Sequence, residues 1–586
     1  MSALRPQIRR LSIERFRGIE SLTWNPDAGV NVVLGGGDAG KSTILDAISL
    51  LLHPSNTFTL TEADYWRRDV EKEFCIEAVM TIPESCGLHA QSKNAWPWVW
   101  NGTDGALPDM EAKTSQPAGE SVFRVRARGT ADFDLLFEVR QPNDELDHFS
   151  VAVRRAIGLV RLSSDDRNDR DLRLIQGSAL DRLLSDRTLR SRLGKLLGTS
   201  DVEAQLTDSA KEKLKALDSE FAKKTLPTDL GLGLSGSQGF SINALIGLTA
   251  MKDQIELPLA VWGAGTRRLA ALEVAAIHHG ECPITVVDEV ERGLEPYRQR
   301  ILVEDLEASS SQVFLTTHSN AVLRAINTAS LWYMDTKGTV GRLPKKAVAY
   351  EKRDPEIFLS RFAVVAEGIT EVGFVTALLK IAVGADLQRR GVWISDAGGN
   401  DAALDLLDGL TKSGLKFAGF ADNDATHPGR WATLKQTMKE RLFRWNHGCV
   451  EENVIRLLDN SQLERLIEDP TGEETGTRLR TLAFRLEIED KTFTSIAGQT
   501  TDLKQLVIDA ATGKIPVTKA DADKSEKKIY KNHAQCWFKN PKGGEELAAK
   551  VFALGVWPKM SAEIMPFLNA IRSELGMEPI ADLPYE

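Results

Sequence analysis

Asn31-Val-Val-Leu-Gly35-Gly-Gly-Asp-Ala-Gly40-Lys41-Ser42-Thr43 decides the fold of the first half of the chain. A short apolar run enters a glycine loop, Gly-Lys-Ser closes the loop, and the apolar stretch Ile44 to Leu52 continues as a helix. Glycines let backbone N–H groups wrap a phosphate, and the helix N-terminus behind them adds positive potential. Gly35 and Gly40 bound the loop, Lys41 is placed to reach the β- and γ-phosphates, and Ser42, with Thr43 beside it, is placed to ligate magnesium. A structural glycine turn needs none of this agreement between strand, spacing, Gly-Lys-Ser and helix. The motif therefore predicts an α/β nucleotide-binding fold with ATP and Mg2+ as ligands.

The next piece lies far downstream, where Pro283-Ile-Thr-Val-Val-Asp288-Glu289 gives an apolar strand ending in two acids. Phosphoryl transfer needs this division of labour: Asp288 to hold magnesium through water and Glu289 to polarise the attacking water. Around it stand Trp262-Gly263-Ala-Gly265-Thr-Arg-Arg268 opening a helical run, Glu291-Arg-Gly-Leu-Glu-Pro296, and Val313-Phe-Leu-Thr-Thr-His318-Ser319. In this order they resemble the signature loop, Walker B, D-loop and switch histidine of ABC-type heads, although the signature lacks the familiar Leu-Ser-Gly-Gly-Gln wording. Arg15-Phe16-Arg17-Gly18 resembles the opening strand of RecF- and SMC-type heads. The resemblance implies that His318 senses the γ-phosphate. It also implies that Gly263 and Gly265 contact a nucleotide bound by another subunit, which makes the chain a homodimer or higher homo-oligomer.

At 586 residues, 42% of them hydrophobic, the chain exceeds what one core organises, so two or three domains are expected. Met1 to Arg10 carries three arginines and no apolar h-region, and no apolar run reaches the ~18 residues of a membrane span. Cytoplasmic residence without membrane insertion is the expectation. The five cysteines, Cys75, Cys86, Cys282, Cys449 and Cys536, are far apart and form no Cys-x-x-Cys pair, so they read as ordinary thiols. A net charge of −10 excludes a protein coated in basic surface but leaves room for a local basic stripe.

The interval between the Walker motifs is too long for a loop. Cys75 to Ile82 and Val122 to Val151 alternate as strands, Gln91 to Gln116 is loop-rich, and Ala179 to Lys224 is charged with helical period. That helical part reads either as an arm or dimer contact or as a solvated face. The expected domains are residues 1–170 and 236–355 for the two parts of the ATPase head, 171–235 for the helical insertion, and 356–586 for a second α/β domain with helical extension.

In that second domain, Phe362-Ala-Val-Val-Ala366 is a strand ending at Glu367-Gly368-Ile-Thr-Glu371, and Val372 to Ala382 is a helix. Two more strands end in acids: Gly391-Val-Trp-Ile-Ser-Asp396-Ala-Gly-Gly and Phe417-Ala-Gly-Phe-Ala-Asp422-Asn-Asp424. The carboxyl edge of a parallel sheet is where ligands gather. Carboxylates converging there are costly unless divalent cations neutralise them, and Mg2+ or Mn2+ suits such oxygen ligands. Two ions would activate a water and stabilise a departing oxygen. Asp396 reads either as a ligand or as a cap on the Gly398-Gly399 turn.

Glu-Gly and Asp-x-Asp at successive strand ends resemble the Toprim fold over roughly Phe362 to Asp469, with Glu367, Asp422 and Asp424 as its catalytic and metal-binding acids. With the ATPase head in front, the chain resembles the overcoming-lysogenization-defect (OLD) family of nucleases, which includes the nuclease component of Gabija antiphage systems. The resemblance implies further metal ligands, Glu371 and a later acid, for which Glu452 is preferred and Glu451 is the rival. It implies a late lysine that stabilises charge at the scissile phosphate, with Lys542 preferred over Lys539 in Trp537-Phe-Lys539-Asn-Pro-Lys542. The implied function is an ATP-regulated, metal-dependent DNA endonuclease in antiphage defence, with DNA and a co-encoded helicase or retron component as partners. The alternative is a RecF- or SMC-like DNA-binding ATPase clamp whose Toprim module does not cleave. A primase or topoisomerase lacks support, since there are no zinc-ribbon cysteines and none of the six Tyr sits in a strand-passage context. Lys519 to Lys531 reads as a solvated segment before a DNA-contacting loop.

Overall fold

The phosphate-loop segment folds into strand Val30–Gly35 and helix Lys41–Leu51. The computed structural model describes residues 5–37, 39–56, 58–88, 95–107, 119–162, 171–175, 178–184, 203–234, 246–278, 283–335, 338–344, 350, 352–469, 472, 474–521 and 523–584. Contacts divide the chain into two compact units, Met1–Arg342 and Leu343–Glu586.

In the first unit, Val30–Gly35 is buried along nearly its whole length, as suits a parallel strand covered on both faces. Its sheet runs in the order Leu159–Leu162, Ile284–Val287, Val313–Thr316, Val30–Gly35, Ser330–Met334, Val340–Arg342. All neighbours pair in parallel except the last, antiparallel strand. Because these strands share a direction, the phosphate loop, Asp288 and the Thr317-His318 turn all leave at one sheet edge. A second, antiparallel sheet pairs Gln7–Phe16 with Ile19–Trp24 and Phe74–Thr81, and then Phe74–Thr81 with Ser121–Gly129. Burial alternates along most of Ser121–Gly129 and the first half of Phe74–Thr81. Ile13, Ile76 and Val125 share a core with Ile44 and Ile48 of the phosphate-loop helix. Between them along the strands, Arg124 pairs with Glu77 at 2.8 Å and Arg126 with Glu138 at 2.6 Å.

Of the expected helical insertion, Ala179–Leu184 and Asp208–Lys223 are helices. The longer one is capped by Thr207 and buries Ala210, Leu214, Leu217 and Phe221, a single stripe at helical spacing. Residues 185–202 between them lie outside the described residues, as do Asp38, Cys282 and residues 91–94 and 108–116 of the expected loop. The described part of that loop includes the short strands Trp98–Trp100 and Gly105–Ala106. Gly231–Leu234, which the sequence reading placed at the end of the insertion, pairs with Ile246–Lys252, and that strand with Ile255–Pro258. A Gly-Leu-Gly-Leu run lacks the β-branched and aromatic residues that mark a strand, and it is identified only by its partner. Among the described residues no helix is long and apolar enough to cross a membrane.

The second unit is built on a parallel sheet ordered Val392–Asp396, Phe362–Ala366, Phe417–Ala421, Leu442–Arg444. Its two central strands are buried at every residue. Helix Ile369–Val383 follows the first of them, and the late helix Pro541–Ala553 crosses it backbone to backbone. Glycine makes that crossing possible. A Cβ on Gly373 would stand 2.0 Å from the Pro541 carbonyl oxygen, and one on Gly544 would stand 2.1 Å from that of Thr370. Gly544→Ala is therefore expected to destabilise this unit by about 1–3 kcal/mol through overpacking. Gly476→Ala, exposed in helix Thr475–Leu486 where a Cβ meets open space, is expected to hold stability or raise it by up to about 1 kcal/mol. Thermal melts of the two full-length variants check this.

Candidate functional site

At the sheet edge of the first unit, Gly40 adopts a left-handed conformation (φ 98°) and caps helix Lys41–Leu51. The Lys41 ammonium folds over its own loop and donates to the carbonyls of Gly35 at 3.0 Å and Gly36 at 2.8 Å. Ser42 Oγ donates to Asp288 Oδ1 at 3.1 Å, and Thr316 Oγ1 donates to the same oxygen at 2.6 Å. The two side chains expected to share a magnesium ion thus meet across the sheet. Thr43 lies beside them in the first turn of the helix.

Glu289 sits in the left-handed region (φ 49°), with its N–H donating to Thr316 Oγ1 at 2.9 Å and its side chain 41% exposed. A non-glycine residue held there is a strained position of the kind that collects at active sites. The Glu291 carboxylate accepts from Thr317 Oγ1 and from the His318 N–H, both at 2.7 Å, and so holds the histidine turn. Gly263 precedes helix Ala264–His278 and has open space around it. Gly265 is packed so closely that a Cβ would lie 2.1 Å from the Gly293 carbonyl oxygen. Sequence reading gave no role to Arg268, which is buried and donates to the carbonyls of Asp288 and, at 3.0 Å, Arg292. Burial lowers its pKa to about 10.

In the second unit the Toprim-like strands bring their acids to one edge. Glu367 follows strand Phe362–Ala366, and its Oε2 accepts from the Asp422 N–H at 3.0 Å. Asp422 and Asp424 follow strand Phe417–Ala421; the first is buried and the second is exposed. Glu371, in the first turn of helix Ile369–Val383, is buried, and its charge acts on Asp422. Glu451, from helix Val450–Leu457, is fully buried at 0% exposure. Its Oε1 takes the Lys539 ammonium at 2.9 Å and lies 3.2 Å from Thr370 Oγ1. The Thr370 hydroxyl also lies 3.0 Å from the Phe538 carbonyl, which fixes the segment that carries Lys539.

Two expected residues stand elsewhere. Glu452 pairs with Arg456 one turn along its own helix and packs over Gly448. Adjacent helical residues face directions about 100° apart, and it is Glu451 that turns inward. Lys542 lies exposed in the first turn of helix Pro541–Ala553, whereas Lys539 precedes that helix and reaches the acids. Asp396 is held by Arg353 at 2.6 Å and accepts the Gly398 N–H at 2.7 Å, so it caps the glycine turn. Lys524–His533 is a helix, and nearby Lys519 pairs with Glu487 and Glu526.

Burial, then the Glu451 charge, pushes the Glu371 carboxyl up to about 7. Burial, then Glu371, Glu451 and Glu367, holds Asp422 well above the usual carboxylate range. Burial and Asp424 raise Glu367. For Lys539, burial works to lower the pKa, but Glu451, Cys449 and Glu371 outweigh it and hold the ammonium above its usual range.

Among the described residues no three His, Cys, Asp or Glu side chains already converge as a metal cage. The donor set nevertheless fits a hard divalent cation. Glu371 Oε1, Asp422 Oδ1 and Glu451 Oε2 are buried carboxylate oxygens with no hydrogen-bond partner. A raised carboxyl pKa means the folded state holds a proton that the unfolded chain releases. Stability is therefore lost as pH rises from about 4.5 through about 7, the Glu371 window. In EDTA the melting temperature of this unit is expected to fall between pH 5 and pH 8. Mn2+ should raise it more at pH 8 than at pH 5, by ~2–4 °C for each kcal/mol of linkage. Glu371→Gln should flatten both trends, which scanning calorimetry reads directly.

Family models match three stretches of the chain. Residues 10–79 match an AAA domain, residues 87–324 match the model described as "AAA domain, putative AbiEii toxin, Type IV TA system", and residues 358–424 match "Overcoming lysogenization defect protein-like, TOPRIM domain". The chain joins an AAA-type ATPase to an OLD-like Toprim domain. That domain order matches the ATPase–Toprim fusion of the OLD family. The Toprim match contains Glu367, Glu371, Asp422 and Asp424 and ends before Glu451 and Lys539. Among curated proteins, the DNA replication and repair protein RecF of Teredinibacter turnerae is 44% identical over 48 residues, 8% of this chain and 13% of that protein. The solved structure of the recombination mediator protein RecF with ATP aligns over 58% of this chain and 99% of its own, at 15% identity and TM-score 0.36. An Smc head bound to the C-terminal winged-helix domain of ScpA aligns over 57% of this chain and 97% of its own, at 13% identity and TM-score 0.34.

Proposed function

We propose that the chain is a metal-dependent DNA endonuclease whose cutting centre is the Toprim acid cluster and whose access to DNA is set by nucleotide at the ATPase head. The observation that carries this reading is the set of unpartnered buried oxygens on Glu371, Asp422 and Glu451, gathered beside Glu367 and Asp424 with Lys539 against them. Structural carboxylates are normally satisfied when buried, and a group of them left bare is a site waiting for cations. Mg2+ or Mn2+ held there supplies charge neutralisation and a water of lowered pKa. Glu367, Glu371, Asp422, Asp424 and Glu451 are the candidate ligands. Lys539, held in place by Glu451, presents positive charge where the departing oxygen becomes negative, and the Glu371 carboxyl holds or releases a proton near neutral pH.

At the head, Lys41 binds the nucleotide phosphates, Ser42 and Asp288 hold its magnesium, and Glu289 orients water. His318 follows the γ-phosphate. Gly263 and Gly265 close on the nucleotide of a second copy, so the protein acts as a homodimer or larger homo-oligomer. A role in antiphage defence is the setting that the OLD likeness supports. Incubation of full-length protein with supercoiled plasmid in Mg2+ or Mn2+, with and without ATP, tests the whole reading. Metal-dependent nicking or linearisation is expected. Lys41→Ala should cut in metal but lose every response to ATP. Cleavage that persists in excess EDTA, or an ATP response retained by Lys41→Ala, would count against it.

A further inference from the structure

Arg444 ends strand Leu442–Arg444 and is the direct pairing partner of Ala421, the residue before Asp422. Its guanidinium is fixed from two sides. Nε donates to the Asp422 carbonyl at 3.1 Å, and Cζ stacks 5.0 Å from the centre of the Trp431 ring. The following loop is clamped to the Asp-x-Asp turn, with Asn423 and Gly448 exchanging backbone hydrogen bonds at 2.9 and 3.1 Å. The side chain feels the charges of Glu367 and Asp424, yet among the described residues it forms no ion pair, and its buried Nη2 has no acceptor. A guanidinium serving only as counter-ion would turn its fork onto those carboxylates. This one is held by its neck, with Nη2 left unpaired.

The geometry points to Arg444 as the residue that grips a non-bridging oxygen of the DNA phosphodiester at the Toprim edge and holds the strand against the acids. Arginine suits this task because its guanidinium carries several donors, so one can hold the backbone while another meets a phosphate oxygen, and it keeps its charge. The charge balance agrees. Glu367, Glu371, Asp422, Asp424 and Glu451 face Lys539 and Arg444, and Lys539 is already committed to Glu451. Once divalent ions neutralise the carboxylates, Arg444 stands beside them as a cation with no carboxylate partner among the described residues, free to receive the phosphate. Sequence reading passed over Arg444-Trp445 because nothing in that dipeptide differs from a surface strand end.

This inference rests on the nuclease reading for its catalytic consequence but not for its binding test. A fluorescein-labelled DNA duplex is titrated with full-length unsubstituted protein, Arg444→Gln and Arg444→Lys across a salt series. Ca2+ is present because it takes the same oxygen ligands as Mg2+ in looser geometry. Loss of one phosphate contact makes the slope of log affinity against log salt shallower by about 0.9 for Arg444→Gln, while Arg444→Lys keeps the slope. Melting temperature and ATP binding serve as folding controls. In saturating Mn2+, Arg444→Gln is expected to cleave about 10²-fold more slowly, with Arg444→Lys recovering part of the loss. A counter-ion role predicts full cleavage there, since metal replaces it. An unchanged slope in Arg444→Gln, or no duplex binding by the unsubstituted protein, overturns the inference. Normal binding effects with no cleavage by the unsubstituted protein overturn the nuclease reading and leave Arg444 as a phosphate contact.

Discussion

Asp422→Asn is expected to reduce metal-dependent DNA cleavage by about 10³-fold or more while leaving the protein folded. The side chain is buried, its Oδ1 has no partner, and it lies within the electrostatic reach of Glu371, Glu451 and Glu367. An amide there keeps the volume and leaves intact the backbone N–H that binds Glu367. It removes a charge that burial disfavours, so in EDTA at pH 8 the melting temperature should hold or rise. The gain in Tm produced by Mn2+ in the unsubstituted protein should shrink. Loss of activity together with retained stability is the signature of a residue kept for chemistry. A variant that unfolds, or one that still cuts, would show that Asp422 serves the core instead.

Lys539→Ala is expected to abolish cleavage and to destabilise the second unit, whereas Lys542→Ala should do neither. Glu451 is fully buried, and Lys539 is its cation at 2.9 Å, with 32% of the lysine side chain exposed. Removing one partner of a buried pair costs about 3–5 kcal/mol because the other charge is stranded, and the partial exposure of Lys539 places this case at the low end. Glu451→Gln in the Lys539→Ala background removes the stranded charge, so stability should return while cleavage stays lost. Calorimetry beside a plasmid assay separates the two effects. Cleavage recovered together with stability would make Lys539 and Glu451 a structural ion pair only, and would remove Glu451 from the metal ligands.

Both predictions depend on residues that the chain reveals unequally. The phosphate loop, Asp288 and the Glu-Gly and Asp-x-Asp strand ends were legible because each is a local pattern: a buried strand, a turn and a charged residue within about ten positions. The parallel sheets then follow, and with them the meeting of Ser42 with Asp288 and of Glu367 with Asp422. Glu451 and Lys539 were not legible, because what selects them over Glu452 and Lys542 is distant in sequence. Thr370 and the glycine crossing at Gly373 and Gly544 pull the late helix close enough for the lysine before it to reach the acids. No periodicity within Val450-Glu-Glu-Asn records which of two neighbouring acids faces inward. The strand Gly231–Leu234 escaped for the same reason, since its identity comes from its pairing with Ile246–Lys252.

Asp424 offers the most direct test of the central claim, because it is exposed beside the buried cluster and its removal spares the core. Supercoiled plasmid is incubated in Mn2+ with the unsubstituted protein and with Asp424→Ala, and duplex binding is measured on the same preparations in Ca2+. The account predicts metal-dependent nicking or linearisation by the unsubstituted protein, no cutting by Asp424→Ala, and duplex binding by both. Equal cutting by the two proteins, or binding with no cutting by either, would contradict a Toprim nuclease centre; the latter would leave a DNA-binding ATPase in its place.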